Sequence, residues 1–270
     1  SKVFDVIAIN DLGDIKNLAY LFKYDTAYGR YDKEVKSKKL KGKSSLVVDG
    51  KEIIFFQEKD PGVLPWKKLK IDIVVESTGI FESYEKAKVH LDMGAKRVVI
   101  TAPAKDEDGD PPAGGGKTVF MGVNEEDLKT VVMSSNGSCT TNAASPVLAI
   151  MSENPGIKKA VLNTVHGYTA TQNIVDGPAK GSDFRRGRAA AQNIVPSTTG
   201  AALAVARAIK DLAGKFDGIA MRVPVATGSV ADITFVASRK TSAEEINSIF
   251  ERAAASPRWE GIVRVTTDQI

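Results

Sequence analysis

Two residues capable of covalent chemistry stand out in this 270-residue chain: its one cysteine, Cys139, and one of its two histidines, His166. Cys139 lies in Ser138-Cys139-Thr140-Thr141-Asn142, where a strand pattern gives way to a helical one. A thiol at a helix N-terminus feels the positive potential of unpaired N–H groups, which favours the reactive thiolate. His166 closes the apolar run Ala160-Val161-Leu162-Asn163-Thr164-Val165. Cysteine and histidine at such element ends can form a nucleophile–base pair. A lone cysteine also suits an inert buried position, and a lone histidine a structural one. The other histidine, His90, is expected on the surface of a helix that ends near Gly94.

Downstream of His166 the chain is rich in groups that suit phosphate. Thr169, Thr171 and Gln172 precede Asp176-Gly177-Pro178 and the basic stretch Arg185-Arg186-Gly187-Arg188. Ser197-Thr198-Thr199-Gly200 opens a predicted helix, and Arg222 lies in a predicted strand. Hydroxyls at a helix start together with an arginine match a phosphate oxyanion, although Ser-Thr-Thr-Gly by itself is an ordinary helix cap. Asp11 ends the first predicted strand. In a dinucleotide-binding fold an acid there bonds the ribose hydroxyls; taken alone it is a turn former.

The elements that must position these groups are legible from periodicity. Strands are expected at 3–10, 44–48, 53–56, 71–76, 97–101 and 131–133, with helices at 15–22 and 84–94. Asp49-Gly50 reads as a hairpin turn. Strands alternating with helices predict a doubly wound parallel sheet. After Ser138 the pattern changes. A helix to about Glu153 is followed by longer, antiparallel-looking strands at 160–165, 218–224 and 230–237, with helices at 200–210 and 242–255. Ser242 and Glu245 form a capping-box pattern at the last of these. This predicts an α/β cofactor domain, residues 1–138, followed by an α+β catalytic domain, residues 139–270. Residues 104–118, with Pro111-Pro112 and Gly114-Gly115-Gly116, read as a surface loop; no phosphate-loop lysine or GxGxxG accompanies the glycines. Lys36, Lys38, Lys39, Lys41 and Lys43 read as a solvated loop, with no aromatic interleaving to suggest nucleic acid.

Composition sets the outer bounds. Hydrophobic residues are 43% and charged residues 26% of the chain, which excludes a mainly disordered or collagen-like protein. One cysteine can build neither an internal disulfide nor a metal cluster, so no metal site and a reducing, cytoplasmic setting are expected. No apolar run approaches the ~18 residues of a membrane span. A net charge of +4 implies neither a membrane nor a primary nucleic-acid partner.

In combination these motifs resemble the glyceraldehyde-3-phosphate dehydrogenase family over essentially the whole chain. The resemblance is carried by Ser138–Asn142 with His166 at the family's spacing, by Thr169-Ala170-Thr171-Gln172, Asp176-Gly177-Pro178, Asn193–Ala202 and Arg222-Val223-Pro224. Upstream it includes Glu76-Ser77-Thr78-Gly79, Thr101-Ala102-Pro103 and Gly122-Val123-Asn124. It implies a Rossmann-type NAD-binding domain and a catalytic domain. It further implies phosphorylating oxidation of glyceraldehyde 3-phosphate by NAD, through a thiohemiacetal and a thioester on Cys139, with His166 as base. By the same resemblance Asp11, Thr78, Gly79, Phe81, Thr101 and Pro178 serve the cofactor. Thr169 and Arg222, with Thr171 on the same side, hold the substrate phosphate. Ser138, Thr140, Thr199 and Gly200 hold the attacking inorganic phosphate. A homotetramer is implied as well. NADP use, an erythrose-4-phosphate dehydrogenase activity without phosphate attack, and a non-catalytic RNA-binding role stay open at this point.

The sequence departs from the family pattern in several places. Neither the glycine-rich phosphate loop with its first strand nor the family's closing C-terminal stretch is present in these 270 residues, so a chain cut at both ends is expected. The 104–118 loop is longer than usual, and the family's frequent second cysteine is Ala143. A Rossmann sheet without its first strand leaves backbone groups unpaired. The 270-residue chain alone is therefore expected to be unstable or to bind NAD weakly. Calorimetric melting and NAD titration check this, and a cooperative melt with ordinary NAD affinity would contradict it.

Overall fold

The computed structural model describes residues 3–40, 42–106, 108 and 115–269. Contacts divide the chain into two compact units, residues 1–74 with 88–98, and residues 75–87 with 99–270.

The first unit is built on a four-stranded sheet ordered Ala8–Asn10, Lys51–Phe56, Lys43–Val48, Val35–Leu40. Ala8–Asn10 runs parallel to Lys51–Phe56, and the other pairs are antiparallel. The Asp49-Gly50 hairpin forms as the sequence suggests, with φ of +52° and +77° at the two turn residues. The helix Ile15–Lys23 starts at Asp14, whose carboxylate accepts the backbone N–H groups of Lys16 and Asn17. Leu64, Trp66, Ile71 and Ala95 form a small core.

Three expectations are corrected in this unit. The first strand covers only Ala8–Asn10, and Val3 and Phe4 are exposed. The lysine run is not a loop. Lys36, Lys38 and Lys39 lie in the edge strand Val35–Leu40, and Lys38 pairs with Glu52 at 3.0 Å. Lysines on an open strand edge discourage further strands from adding. Lys41 lies outside the described residues. Finally, His90 is buried, with only 4% of its surface exposed. The Trp66 indole N–H donates to His90 Nδ1 at 3.1 Å. A lone histidine in a helical pattern carries no signal of an indole 24 residues away waiting for an acceptor.

Within the second unit, the helix Cys139–Glu153 is the central buried element. Ala144, Leu148, Ile150 and Met151 pack with Leu162, Val205, Leu212 and Phe216 in one cluster. Each buried leucine, isoleucine, valine, methionine or phenylalanine among them contributes roughly 1.5–3 kcal/mol. The cluster lies under a mixed sheet ordered Val195–Thr198, Phe216–Val223, Ile157–Gly167, Ser229–Ala237. Ile157–Gly167 runs parallel to Phe216–Val223 and antiparallel to Ser229–Ala237. The helices Ala201–Ala208 and Ala243–Ala254 form where expected, and Ser242 caps the second by accepting from the Glu245 N–H.

A further sheet runs Ile73–Glu76, Arg97–Ile100, Met133–Ser135, Lys117–Thr118, its last two strands parallel. Residues 117–118 thus form a strand rather than the end of a loop. Asp108 fixes their start by accepting from the Thr118 N–H and from the hydroxyls of Thr118 and Tyr84. The proline and glycine tract of that loop, through Gly114, lies outside the described residues.

Candidate active site

Cys139 is the first residue of its helix, and the turn before it is fixed by polar contacts. Ser138 Oγ accepts the Thr141 N–H at 3.1 Å, and Thr141 Oγ1 accepts the Ser138 N–H at 2.6 Å. This reciprocal cap satisfies two backbone donors at once. Asn142 Nδ2 donates to the carbonyls of Asn136 and Ser138, while the Gly137 N–H donates to Ser135 Oγ. Gly137 has φ +65°, and a Cβ on it would meet Thr141 Oγ1 at 2.5 Å and the Phe120 ring at 2.8 Å. Only glycine fits there. The result is an exposed thiol at the positive end of a buried helix.

His166 reaches that thiol from the neighbouring strand. Its Nε2 lies 3.1 Å from Cys139 Sγ. Its Nδ1 lies 2.6 Å from the Gly167 carbonyl and 2.8 Å from Arg222 Nη1. The register explains the second contact: His166 is paired with Arg222 on the parallel strand and with Ser229 on the antiparallel one. Arg222 is half-buried, and its Nε has no partner. Burial pushes this guanidinium below the usual arginine range, the charge of Arg186 acts in the same direction, and Cys139 opposes both.

A second group of polar side chains adjoins Arg186. Thr169 Oγ1 and Thr171 Oγ1 are 2.9 Å apart. Arg186 donates to Thr171 Oγ1 and to Ser197 Oγ, each at 2.8 Å. Its nearest carboxylate is Asp183, at 3.6 Å. Arg186 is the residue that the sequence reading overlooked, since nothing in Arg-Arg-Gly-Arg marks which arginine turns inward. Gly187 carries the one usable signal: a Cβ there would meet the Gly177 carbonyl at 2.3 Å, so the chain must pass close at that point.

The remaining residues singled out from sequence occupy separate places. Thr140 is buried, and Ser138 is half-buried in the cap. Thr199 Oγ1 accepts the Ala201 N–H at 3.2 Å, and Gly200 precedes that helix in the open. Pro178 is exposed, and its carbonyl accepts from Asn173. Thr78 donates through its N–H and hydroxyl to Glu76 and accepts from the Ile80 N–H. Gly79 follows with φ +70°, and Phe81 is half-buried. Thr101 donates to the Glu76 carbonyl. Asp11 belongs to the first unit, at the end of a parallel strand, where its Oδ1 accepts the Gly13 N–H at 2.7 Å. The structure therefore brings together Cys139, His166 and Arg222, and likewise Thr169 and Thr171 with Arg186.

A thiol is thus held against an imidazole on a mixed sheet, in a chain whose first unit carries a parallel strand pair beside a helix. Two family models match: the NAD binding domain of glyceraldehyde 3-phosphate dehydrogenase over residues 1–84, and its C-terminal domain over residues 138–270. The chain is 47% identical over 251 residues to glyceraldehyde-3-phosphate dehydrogenase of Clostridium pasteurianum, covering 93% of this chain and 72% of that protein. Identity is 45% over 273 residues to the enzyme of Borreliella burgdorferi, with 98% and 77% covered. It is 46% over 268 residues to that of Streptomyces coelicolor, with 98% and 76% covered. The chain belongs to the glyceraldehyde-3-phosphate dehydrogenase family. Its NAD-binding part is of the Rossmann type.

The packing at Gly137 yields a test. Gly137→Ala is expected to cost about 1–3 kcal/mol through overpacking and a disfavoured φ, and to slow alkylation of Cys139 by iodoacetamide. Denaturant unfolding and the alkylation rate measure the two effects, and an unchanged rate would contradict the steric argument.

Proposed function

We propose that the chain oxidises glyceraldehyde 3-phosphate to 1,3-bisphosphoglycerate with NAD and inorganic phosphate. The observation that carries this reading is the 3.1 Å contact between Cys139 Sγ and His166 Nε2, flanked by Arg222. Cys139 adds as thiolate to the aldehyde carbon, giving a thiohemiacetal. His166, protonated in its pair with the thiolate, gives its Nε2 proton to the oxygen as charge develops and takes it back when the hydride leaves. NAD, when bound, supplies the hydride acceptor. The thioester that remains on Cys139 is attacked by phosphate oxygen, the carbon–sulfur bond breaks, and the thiolate is restored. One aldehyde, one NAD⁺ and one phosphate thus give one acyl phosphate, one NADH and one proton.

The placement of charges supports the division of phosphate sites. Arg222 and Arg186 lie near enough to affect one another electrostatically, beside the hydroxyls of Thr169, Thr171 and Ser197. This is an environment that an anion relieves. Thr169, Thr171 and Arg222 hold the substrate phosphate; Ser138, Thr140, Thr199 and Gly200 take the attacking one. Asp11 fits a ribose, since its exposed carboxylate stands at the C-terminal end of a parallel strand and would repel a 2′-phosphate. By the family resemblance Thr78, Gly79, Phe81, Thr101 and Pro178 also serve the cofactor, with the functional division of the chain at 138/139.

A homotetramer is part of the same reading. Val161, Ile219, Val230 and Val236 stand out on the solvent face of the catalytic sheet. Asn163 Oδ1, on that face, is buried without a hydrogen-bond partner. A sheet face that exposes these apolar side chains beside an unsatisfied amide and the carboxylates of Asp217 and Asp232 suits a second copy of the chain. No helix among the described residues is long and apolar enough to cross a membrane.

Two outcomes test these readings. NADH should form from glyceraldehyde 3-phosphate at a rate that depends on inorganic phosphate. Cys139→Ser should abolish it, and His166→Asn should slow it about 10²–10⁴-fold. A rate independent of phosphate would favour the non-phosphorylating chemistry instead. Light scattering should give four chains per particle, and Ile219→Asp should dissociate it; a monomeric parent chain would refute the assembly.

A further inference from the structure

Asn136-Gly137 is the only Asn-Gly pair in the sequence, and it stands three residues before Cys139. In such a pair no side chain shields the glycine nitrogen, which can attack the side-chain carbonyl carbon of the asparagine. The attack needs a nitrogen that gives up its proton, a carboxamide free to swing over it, and water at the ring that forms.

The peptide unit between the two residues is hydrogen-bonded at both ends. Its oxygen, the Asn136 carbonyl, accepts from Asn142 Nδ2 at 2.6 Å. The same nitrogen donates to the Ser138 carbonyl at 2.9 Å. Both partners are carbonyls, so the amide must turn its nitrogen toward them. The N–H of the unit, that of Gly137, donates to Ser135 Oγ at 3.1 Å. The hydrogen of the Ser135 hydroxyl is committed to the Ala102 carbonyl at 2.7 Å, so a lone pair faces Gly137. Removing the Gly137 proton spreads negative charge onto the Asn136 oxygen, where the Asn142 donor is already in place. A fixed donor aimed at developing charge needs no reorganisation. The backbone is also held from the other side, since the Asn136 N–H donates to the Ile100 carbonyl at 3.1 Å. The Asn136 carboxamide, by contrast, is exposed and makes no hydrogen bond among the described residues.

We propose that Asn136 is a site of self-modification that limits the working life of Cys139. Gly137 N, having lost its proton to hydroxide, bonds to Asn136 Cγ. The carboxamide C–N bond breaks, and ammonia leaves. One water then opens the resulting succinimide at either carbonyl. Opening at Cγ leaves an aspartate; opening at the main-chain carbon leaves an isoaspartate, whose backbone is longer by one methylene. In sum one water is consumed and one ammonia released, and nothing is oxidised or reduced.

Both products reach the thiol through the turn. Ring closure removes the Gly137 N–H and with it the bond to Ser135. The lengthened backbone of the isoaspartate disturbs the close packing of Gly137 on Thr141 and Phe120. Either product adds a carboxylate beside the helix start, where it competes with the thiolate for the same positive helix end.

Peptide mass spectrometry of the ageing chain at mildly alkaline pH measures the conversion, and enzymatic methylation of isoaspartate identifies the product. Urea abolishes the contacts and leaves the Asn-Gly pair intact, so the same chain in urea is the reference. Asn136 is expected to convert about tenfold faster in buffer than in urea, the effect of one hydrogen bond to a charged group. A rate in buffer equal to or below the urea rate would overturn the proposal, and this comparison needs no variant. Asn142→Asp keeps the shape and replaces the donor by an anion. Its rate in buffer should fall below the urea rate, which unfolding alone could not produce; a rate as fast as the parent's would remove Asn142 from the argument and overturn the activation. Brief treatment of the aged sample with iodoacetamide then reads the consequence. Converted chains should retain a free Cys139 after unconverted chains have been alkylated. Equal alkylation of the two would overturn the effect on Cys139.

Discussion

A single contact between a helix and a strand organises the second unit: the sulfur of Cys139 against Nε2 of His166. A thiol and an imidazole react together only when held within a hydrogen bond of each other. Holding them there demands a rigid helix start and a rigid strand end. The apolar residues of the Cys139–Glu153 helix are anchored in the core, so its N-terminus cannot drift from the sheet. Capping by Ser138 and Thr141 fixes the first turn, and the tight passage at Gly137 aims it. On the other side, pairing to a strand on each flank fixes His166.

The same logic explains which parts could be read in advance. Cys139 and His166 were legible because each sits at a change of period, where a strand or helix pattern visibly stops. The cap at Ser242 and the hairpin at Asp49-Gly50 were legible because their chemistry is local. Arg186 was not, since it is brought to Thr171 and Ser197 by an irregular stretch whose path depends on packing at Gly187. His90 was misjudged for a related reason. Its burial depends on Trp66, and composition along one helix cannot reveal a partner on another segment. The edge strand Val35–Leu40 was missed because lysines oppose strand propensity; tertiary pairing to Lys43–Val48 overrides it.

Arg222 combines two features. It is a cross-strand neighbour of His166 and a half-buried cation that no carboxylate pairs with among the described residues.

His166 and Arg222 are 56 residues apart in the chain yet adjacent in register. The polypeptide between them leaves the sheet at one strand end and re-enters through Val195–Thr198 and the following helix. The reacting atoms are therefore indifferent to the length of the excursion around residues 168–194. The distance from imidazole to guanidinium is set by the pairing of two parallel strands. That segment carries Thr169, Thr171 and Arg186, so strand pairing sets the imidazole–guanidinium distance while the path of the loop sets the hydroxyl cluster beside it.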